Sequence, residues 1–282
     1  MRGLTLEGGG MRGLYSEGIF DTFLEEGIEF DTLVGVSAGA LFGVNYISEQ
    51  IGRGLNYNCN YMRDKRYASI KSWITTGDMI GKDFAYYELP MKLDVFDNEK
   101  YKKSAKRLWS EALNIETGEG TYTKIDDVFQ QMEYLRASGS LPFISKPVEI
   151  DGKKYLDGGM AQSIPVDYTL KLGCDKVVVI LTRQKGYQKK APGFFSRLLT
   201  KIWYRKYPKL VESLLTRSMR YNECLEKISQ LEKEGKVFVF RPSVPIEIGR
   251  LEKSPEKLTE VYELGRKDAR TNLEALKKYL AD

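Results

Sequence analysis

The chain has 282 residues, 42% of them apolar, and its 44 basic side chains stand against 39 acidic ones for a formal charge of +5. That is enough apolar matter for one large or two small domains, and too small an excess of charge to argue for an anionic partner unless the cations cluster. Histidine is absent, which excludes every mechanism that needs an imidazole base or an imidazole metal ligand.

Residues 4–7 read as a short strand, 8–13 as a glycine-rich turn and 14–26 as a helix closed by Gly27. A second strand is expected over 31–36 and a second helix over 38–48, directly after Ser37. Such a βαβα opening predicts a parallel sheet with helices on its faces. Residues 60–100 are aromatic, charged and without clear periodicity, and read as helices and loops over one end of the sheet. Trp73 and Tyr86 are candidates to line a pocket there, with core packing the plain alternative.

Strand-like residues 107–114 and 120–125 flank Glu116-Thr117-Gly118-Glu119 and predict a hairpin, and 126–138 carry a helical pattern behind an Asp cap. Residues 147–150 and 153–156 flank Asp151-Gly152, a strong hairpin turn. The apolar run 176–182 suits a buried parallel strand, 236–240 another strand, and 254–280 a long terminal helix with a break at Gly265. Because 236–240 can rejoin the sheet, the expectation is one α/β unit, with 1–185 as its core and 186–282 as a mainly helical C-terminal part packed on it.

Cys59, Cys174 and Cys224 lie far apart and form no C-x-x-C pair, so neither a zinc site nor a disulfide framework is expected and a reducing compartment fits. No apolar run approaches the roughly 18 residues of a membrane span. The reading is a cytoplasmic protein without an anchor of its own.

Gly35-Val36-Ser37-Ala38-Gly39 joins the second strand to the second helix. A serine at so sharp a turn is strained, and glycines two residues to either side remove the clashes that larger residues would make. The plain alternative is a tight βα turn with a serine cap. A free hydroxyl is a weak nucleophile near neutral pH and needs a base. Without histidine that base is a carboxylate, a lysine or another group. The best placed is Asp157 in Tyr155-Leu156-Asp157-Gly158-Gly159, at a strand end with two glycines that leave room for close approach. Aspartate is a weak base, with an ordinary pKa of about 3.9. Water exclusion, and a proton that moves only in the transition state, make it adequate. Read by itself, Asp-Gly-Gly is an ordinary turn.

Acyl transfer builds negative charge on a carbonyl oxygen, and loss of one stabilising donor costs about 3 kcal/mol of barrier. The loop Glu7-Gly8-Gly9-Gly10-Met11-Arg12-Gly13 offers amides at a helix start for that purpose, from Gly8, Gly9, Gly10, Met11 and Arg12. The Arg12 side chain either braces the loop, adds positive potential or sits in a surface salt bridge. Gly8, Gly10 and Gly13 also match G-x-G-x-x-G. The dinucleotide fold, however, expects an acidic residue at the end of its second strand, whereas Asp31 begins that strand and Ser37 follows it.

Taken in order, Gly8-Gly9-Gly10-Met11-Arg12-Gly13, Gly35-Val36-Ser37-Ala38-Gly39 and Asp157-Gly158-Gly159 resemble the patatin-like phospholipase family, its bacterial members most. Arg136-Ala137-Ser138-Gly139-Ser140-Leu141-Pro142 and Pro165 add to the resemblance, which spans residues 4–182. It implies a three-layer α/β/α sandwich with a mainly parallel central sheet. It also implies a Ser-Asp dyad with Ser37 as nucleophile and Asp157 as base, and an oxyanion hole around Gly9, Gly10 and Met11. The implied activity is hydrolysis of fatty acyl esters in phospholipids or other lipids, through an acyl-enzyme and with no metal or other cofactor.

Residues 189–209 place Phe194, Phe195, Leu198, Leu199, Ile202 and Trp203 at near-helical spacing among Arg197, Lys201, Arg205, Lys206 and Lys209. Such a segment suits peripheral contact with an anionic membrane surface, or a helix packed on the core with a solvated basic face. The same pattern could stack on nucleic-acid bases, but no binding motif accompanies it and no nucleic-acid partner is expected. The expected protein is a serine lipid acyl hydrolase. The alternatives are an acyltransferase or thioesterase with the same nucleophile, or a catalytically silent membrane-associated protein.

Overall fold

A computed structural model describes residues 1–281. Its centre is a mixed sheet of eight strands: β1 (Arg2–Leu6), β2 (Thr32–Val36), β3 (Arg107–Asn114), β4 (Gly120–Ile125), β5 (Val148–Ile150), β6 (Lys153–Asp157), β7 (Lys176–Ile180) and β8 (Val237–Phe240). The order is β5-β6-β3-β2-β1-β7-β8, with β4 also on β3. The run β3-β2-β1-β7-β8 is parallel, and β4, β6 and β5 add antiparallel pairs beyond it.

Parallel strands covered on both faces must be apolar throughout. In β7, Val177 to Ile180 are all buried. Leu4, Leu6, Val178 and Ile180 belong to one core cluster, and Val177 and Val179 to another on the opposite face. Among the described residues eleven α-helices surround the sheet: α1 (Leu14–Glu25), α2 (Ala38–Ser48), α3 (Arg53–Tyr61), α4 (Ile70–Thr76), α5 (Asn98–Lys103), α6 (Met132–Gly139), α7 (Val166–Lys171), α8 (Phe194–Trp203), α9 (Pro208–Lys233), α10 (Pro255–Thr271) and α11 (Leu273–Ala281). Residues of α1, α2, α10 and α11 build the first cluster, those of α7 and α9 the second. Helices on both faces are what the βαβα opening predicts, and the three layers are the α/β/α sandwich that the family resemblance implies.

Two expected elements differ. The helix behind Asp126 starts only at Met132. Asp127 Oδ1 accepts the amides of Phe129 and Gln130 at 3.0 Å, and Gln131 Oε1 accepts those of Asp126 and Asp127. These local bonds hold the segment in turns instead of a helix. The terminal helix breaks at Asn272, not Gly265. Asn272 stops it through its own side chain, whose Nδ2 donates to the Asp268 carbonyl at 2.8 Å. Gly265 lies inside α10 for a packing reason. A Cβ there would strike the Tyr15 carbonyl oxygen, and a Cβ on Gly18 would strike the Tyr262 carbonyl oxygen. The two glycines let the backbones of α1 and α10 touch.

The irregular tract 60–100 holds the end of α3, then α4, a wide i→i+5 helix over Asp83–Leu93 that contains Pro90, and α5. Such winding is rare and is often found at functional sites. Phe84, Leu89, Phe96 and Tyr101 anchor this tract in the first core cluster.

Gly265→Ala is expected to destabilise the fold by about 1–3 kcal/mol, read as a lower urea midpoint at unchanged slope. An unchanged midpoint would show that α1 and α10 do not cross in backbone contact.

Candidate active site

β2 ends at Val36 and α2 begins at Ala38, so the chain reverses within one residue. That residue is Ser37, with φ 54° and ψ −125°. A serine holds such a conformation at a cost of about 1–3 kcal/mol, and only where its surroundings impose it. They do: a Cβ on Gly35 would lie 2.6 Å from the Ala40 nitrogen, and one on Gly39 would lie 2.5 Å from the Leu6 oxygen. Only glycine at both positions lets strand and helix approach so closely. The Ser37 N–H donates to Ser138 Oγ at 2.8 Å, so the buried Ser138 near the end of α6 props the turn from below.

Ser37 Oγ donates to Asp157 Oδ2 at 2.6 Å. Asp157 closes β6, which enters the sheet antiparallel to β3. Its N–H donates to the Ser140 carbonyl at 2.7 Å, and its Oδ1 accepts the Gly159 N–H at 2.7 Å. Only 2% of the residue is exposed. Burial pushes its carboxyl above the usual aspartate range, opposed by the Ser37 hydrogen bond and the charge of Arg217. A raised pKa makes the carboxylate a better proton acceptor than a solvated aspartate.

The glycine loop packs on this pair: a Cβ on Gly8 would lie 3.1 Å from Ser37 Cβ. The amide of Gly8 donates to the Ser163 carbonyl and that of Met11 to the Arg250 carbonyl, each at 3.1 Å. Those two N–H groups are therefore committed. The amides of Gly9 and Gly10 find no acceptor among the described residues and remain free for an incoming oxygen. Arg12 is 7% exposed and in no ion pair among the described residues, which removes the surface salt bridge. Its Nη1 reaches the Ile248 carbonyl at 3.4 Å, bracing the loop, and burial with the charge of Arg183 lowers its pKa to about 10.

Two cavities meet at Ser37. One, about 130 Å³, is apolar and lined by Met11, Phe42, Tyr86, Leu89 and Leu135 among others. The other, about 270 Å³, is polar and rich in cations. Tyr86 thus lines a cavity as expected, whereas Trp73 does not. Trp73 is 37% exposed, and its Nε1 donates to the Phe143 carbonyl at 3.0 Å, outside either lining. Among the described residues no group of three or more acidic or cysteine side chains is arranged to hold a metal ion.

Other contributors gave no local signal. Arg217 Nε donates to the Gly159 carbonyl at 2.5 Å, and Arg220 Nη2 to the Met160 carbonyl at 2.6 Å. Two arginines of α9 thus clamp the turn that follows Asp157. In sequence they are two cations among many on an amphipathic helix. The apolar face of α8 is not packed on the core: Phe194 and Phe195 are 74% and 84% exposed, and only Thr200 of that helix is buried. Trp203 stacks edge-on against Phe143, the residue that also holds Trp73.

Residues 4–170 match the family profile described as patatin-like phospholipase, and 207–281 match a domain of unknown function, DUF6363. The chain is 26% identical to the uncharacterized protein YjjU of Escherichia coli K12, over 99% of this chain and 79% of that one. It is 24% identical to lysophospholipase nte1 of Aspergillus niger over 98% of this chain, a stretch that makes up 18% of that longer protein. It is also 24% identical to the probable lipid hydrolase 463L of Invertebrate iridescent virus 6, over 82% of this chain and 89% of that protein. Among solved structures, VipD from Legionella pneumophila superimposes with a TM-score of 0.46 at 14% identity, covering 97% of this chain and 67% of that one.

Because folding raises the pKa of Asp157, the stability tied to this group is fully present below its unfolded value and is lost as pH rises through the folded one. At neutral pH the buried charge is a liability. Asp157→Asn is therefore expected to melt higher than the wild type at pH 7, with the difference vanishing in acid. A lower melting temperature at pH 7 would show that the carboxylate stabilises the fold.

Proposed function

The chain belongs to the patatin-like phospholipase family, and from that premise we propose that it is a serine lipid acyl hydrolase in which Ser37 and Asp157 form the catalytic dyad. The observation that carries this reading is the 2.6 Å hydrogen bond between the two side chains, at the mouth of an apolar cavity. Ser37 Oγ attacks the acyl carbonyl while its proton passes to Asp157 Oδ2. The oxyanion is held by the amides of Gly9 and Gly10. On collapse the protonated Asp157 gives its proton to the leaving alkoxide, and the acyl group stays on Ser37. Asp157 then takes a proton from water, whose oxygen attacks the acyl-enzyme, and on collapse returns that proton to Ser37 Oγ as the fatty acid leaves. The acyl chain lies in the apolar cavity. Residues 1–185 act as the catalytic core, and 186–282 brace it through Arg217 and Arg220.

The second part of the proposal concerns access to lipid. No helix among the described residues is long and apolar enough to cross a membrane. The exposed apolar face of α8, with Arg197, Lys201, Arg205 and Lys206 around it, is suited to lie in the interface of an anionic membrane. Lys189, Lys190 and Pro192, just ahead of α8, line the polar cavity at Ser37. Docking through α8 sets the cavity beside the lipid, at the cytoplasmic face of a membrane.

Ser37→Ala is expected to fold normally, to lose labelling by a fluorophosphonate probe and to lose at least about 1000-fold in kcat/KM on acyl esters. Asp157→Asn is expected to show a comparable loss of turnover. Hydrolysis retained by Ser37→Ala would end the dyad proposal. Replacing Phe194 and Phe195 together by serine should weaken co-sedimentation with phosphatidylglycerol vesicles by more than about tenfold; unchanged sedimentation would remove α8 from the interface.

A further inference from the structure

The larger cavity at Ser37 has mostly cationic charged walls. Arg12, Arg183, Lys189, Lys190, Arg217 and Arg250 line it, against two carboxylates, Glu7 and Asp157. Neither carboxylate neutralises these cations by direct pairing. Glu7 is buried and accepts from two neutral donors, the Tyr221 hydroxyl at 2.7 Å and the Thr182 N–H at 2.6 Å. Asp157 is engaged by Ser37 and Gly159. The arginine ion pairs among the described residues involve other arginines, elsewhere on the molecule.

Instead, the cations are positioned by uncharged groups. Lys189 Nζ lies 3.9 Å from the centre of the Tyr221 ring, and the Arg183 guanidinium lies 4.6 Å from that of Tyr187. Arg217 donates to the Gly159 carbonyl and to Ser163 Oγ. The buried Nε of Arg12 has no acceptor among the described residues. Burial and the neighbouring charge of Arg217 lower the pKa of Lys189 to about 7. Six cations gathered round one cavity, outnumbering the two carboxylates that act on them and in ion pairs with neither among the described residues, form a preorganised anion site. An anion entering it relieves a repulsion that already exists.

We propose that this cavity is a headgroup subsite that takes a phosphate monoester, a dianion carrying no cation of its own. The orientation of the ligand rests on the hydrolase reading: Ser37 lies where the apolar and cationic cavities meet, so an ester bond there points its acyl chain one way and its phosphate the other. A zwitterionic choline headgroup would bring a cation against six others. A glycerol 3-phosphate headgroup accepts charge-assisted hydrogen bonds from arginine and lysine on several sides.

Calorimetry on the Ser37→Ala protein separates binding from turnover. On that background 1-octanoyl-glycerol 3-phosphate is expected to bind at least about tenfold more tightly than 1-octanoyl-glycerophosphocholine. Adding Arg183→Gln and Lys189→Gln together should abolish the difference, while Lys189→Arg alone should preserve it. Equal affinity for the two lipids, or a preference that survives the double substitution, overturns the inference. Inorganic phosphate binding as tightly as the lipid phosphate also overturns it, since the cavity would then serve free phosphate. The hydrolase reading is tested apart, with wild-type protein and p-nitrophenyl butyrate. Failure to cleave that ester counts against the dyad and leaves the binding result standing. Cleavage together with equal lipid affinities rejects the headgroup subsite alone.

Discussion

Everything at the site depends on a reversal of the backbone within a single residue. The central strand β2 ends at Val36 and α2 begins at Ala38, so Ser37 is forced to a positive φ. That geometry is maintained by contacts on three sides: the absence of side chains at Gly35 and Gly39, the Leu6 backbone of the neighbouring strand, and the Ser138 hydroxyl beneath. The strain is local, but the forces that sustain it come from the packed sheet. A looser sheet would let the turn relax and withdraw the serine.

A carboxylate alone is a modest base, and in the proposed dyad the surroundings of Asp157 set its proton affinity. Burial raises its proton affinity. The Ser37 hydroxyl, the Gly159 amide and the charge of Arg217 act in the opposite direction and favour the ionised form. The balance is delicate because these contributions have opposite sign and arise from different parts of the chain. Arg217 belongs to α9, about sixty residues beyond Asp157, so the C-terminal tract takes part in the electrostatics of a pair that lies wholly in the N-terminal part. Arg250 contributes from a further loop, with its carbonyl on the Met11 amide, and the residue lines both cavities.

The tract beyond residue 186 is tied to the rest at several points. β8 extends the sheet in parallel beside β7. α10 lies against α1 where Gly18 and Gly265 remove the side chains that would hold the helices apart. Tyr262 and Tyr15 donate to Asp21 and Asp268 across that same contact. These attachments hold Arg217 and Arg250 at the cavity beside Ser37, and Arg220 on the turn after Asp157. They leave α8 free to present its apolar side to the surroundings.

Sequence alone determined those features that a backbone constraint writes locally. A strand, a glycine-flanked serine and a helix can be read in one short window, because only glycine fits where strand and helix nearly touch. The all-apolar run of β7 likewise announces a strand covered on both faces. Without histidine, a base for Ser37 has to be a carboxylate, a lysine or another group. Local pattern misled where a side chain or a packing contact had the final word. Asp127 and Gln131 bind nearby amides and delay a helix, Asn272 ends one, and Gly265 continues one because α1 passes over it. Tertiary structure alone decided that β6 enters antiparallel to β3 and delivers Asp157 to within 2.6 Å of Ser37. It alone decided that the Gly9 and Gly10 amides have no acceptor among the described residues while those of Gly8 and Met11 do, and that six cations from four separate stretches line one cavity. The physical reason is that hydrogen-bond supply and net charge at a point are sums over everything nearby in space, and neighbours in space are mostly distant in sequence.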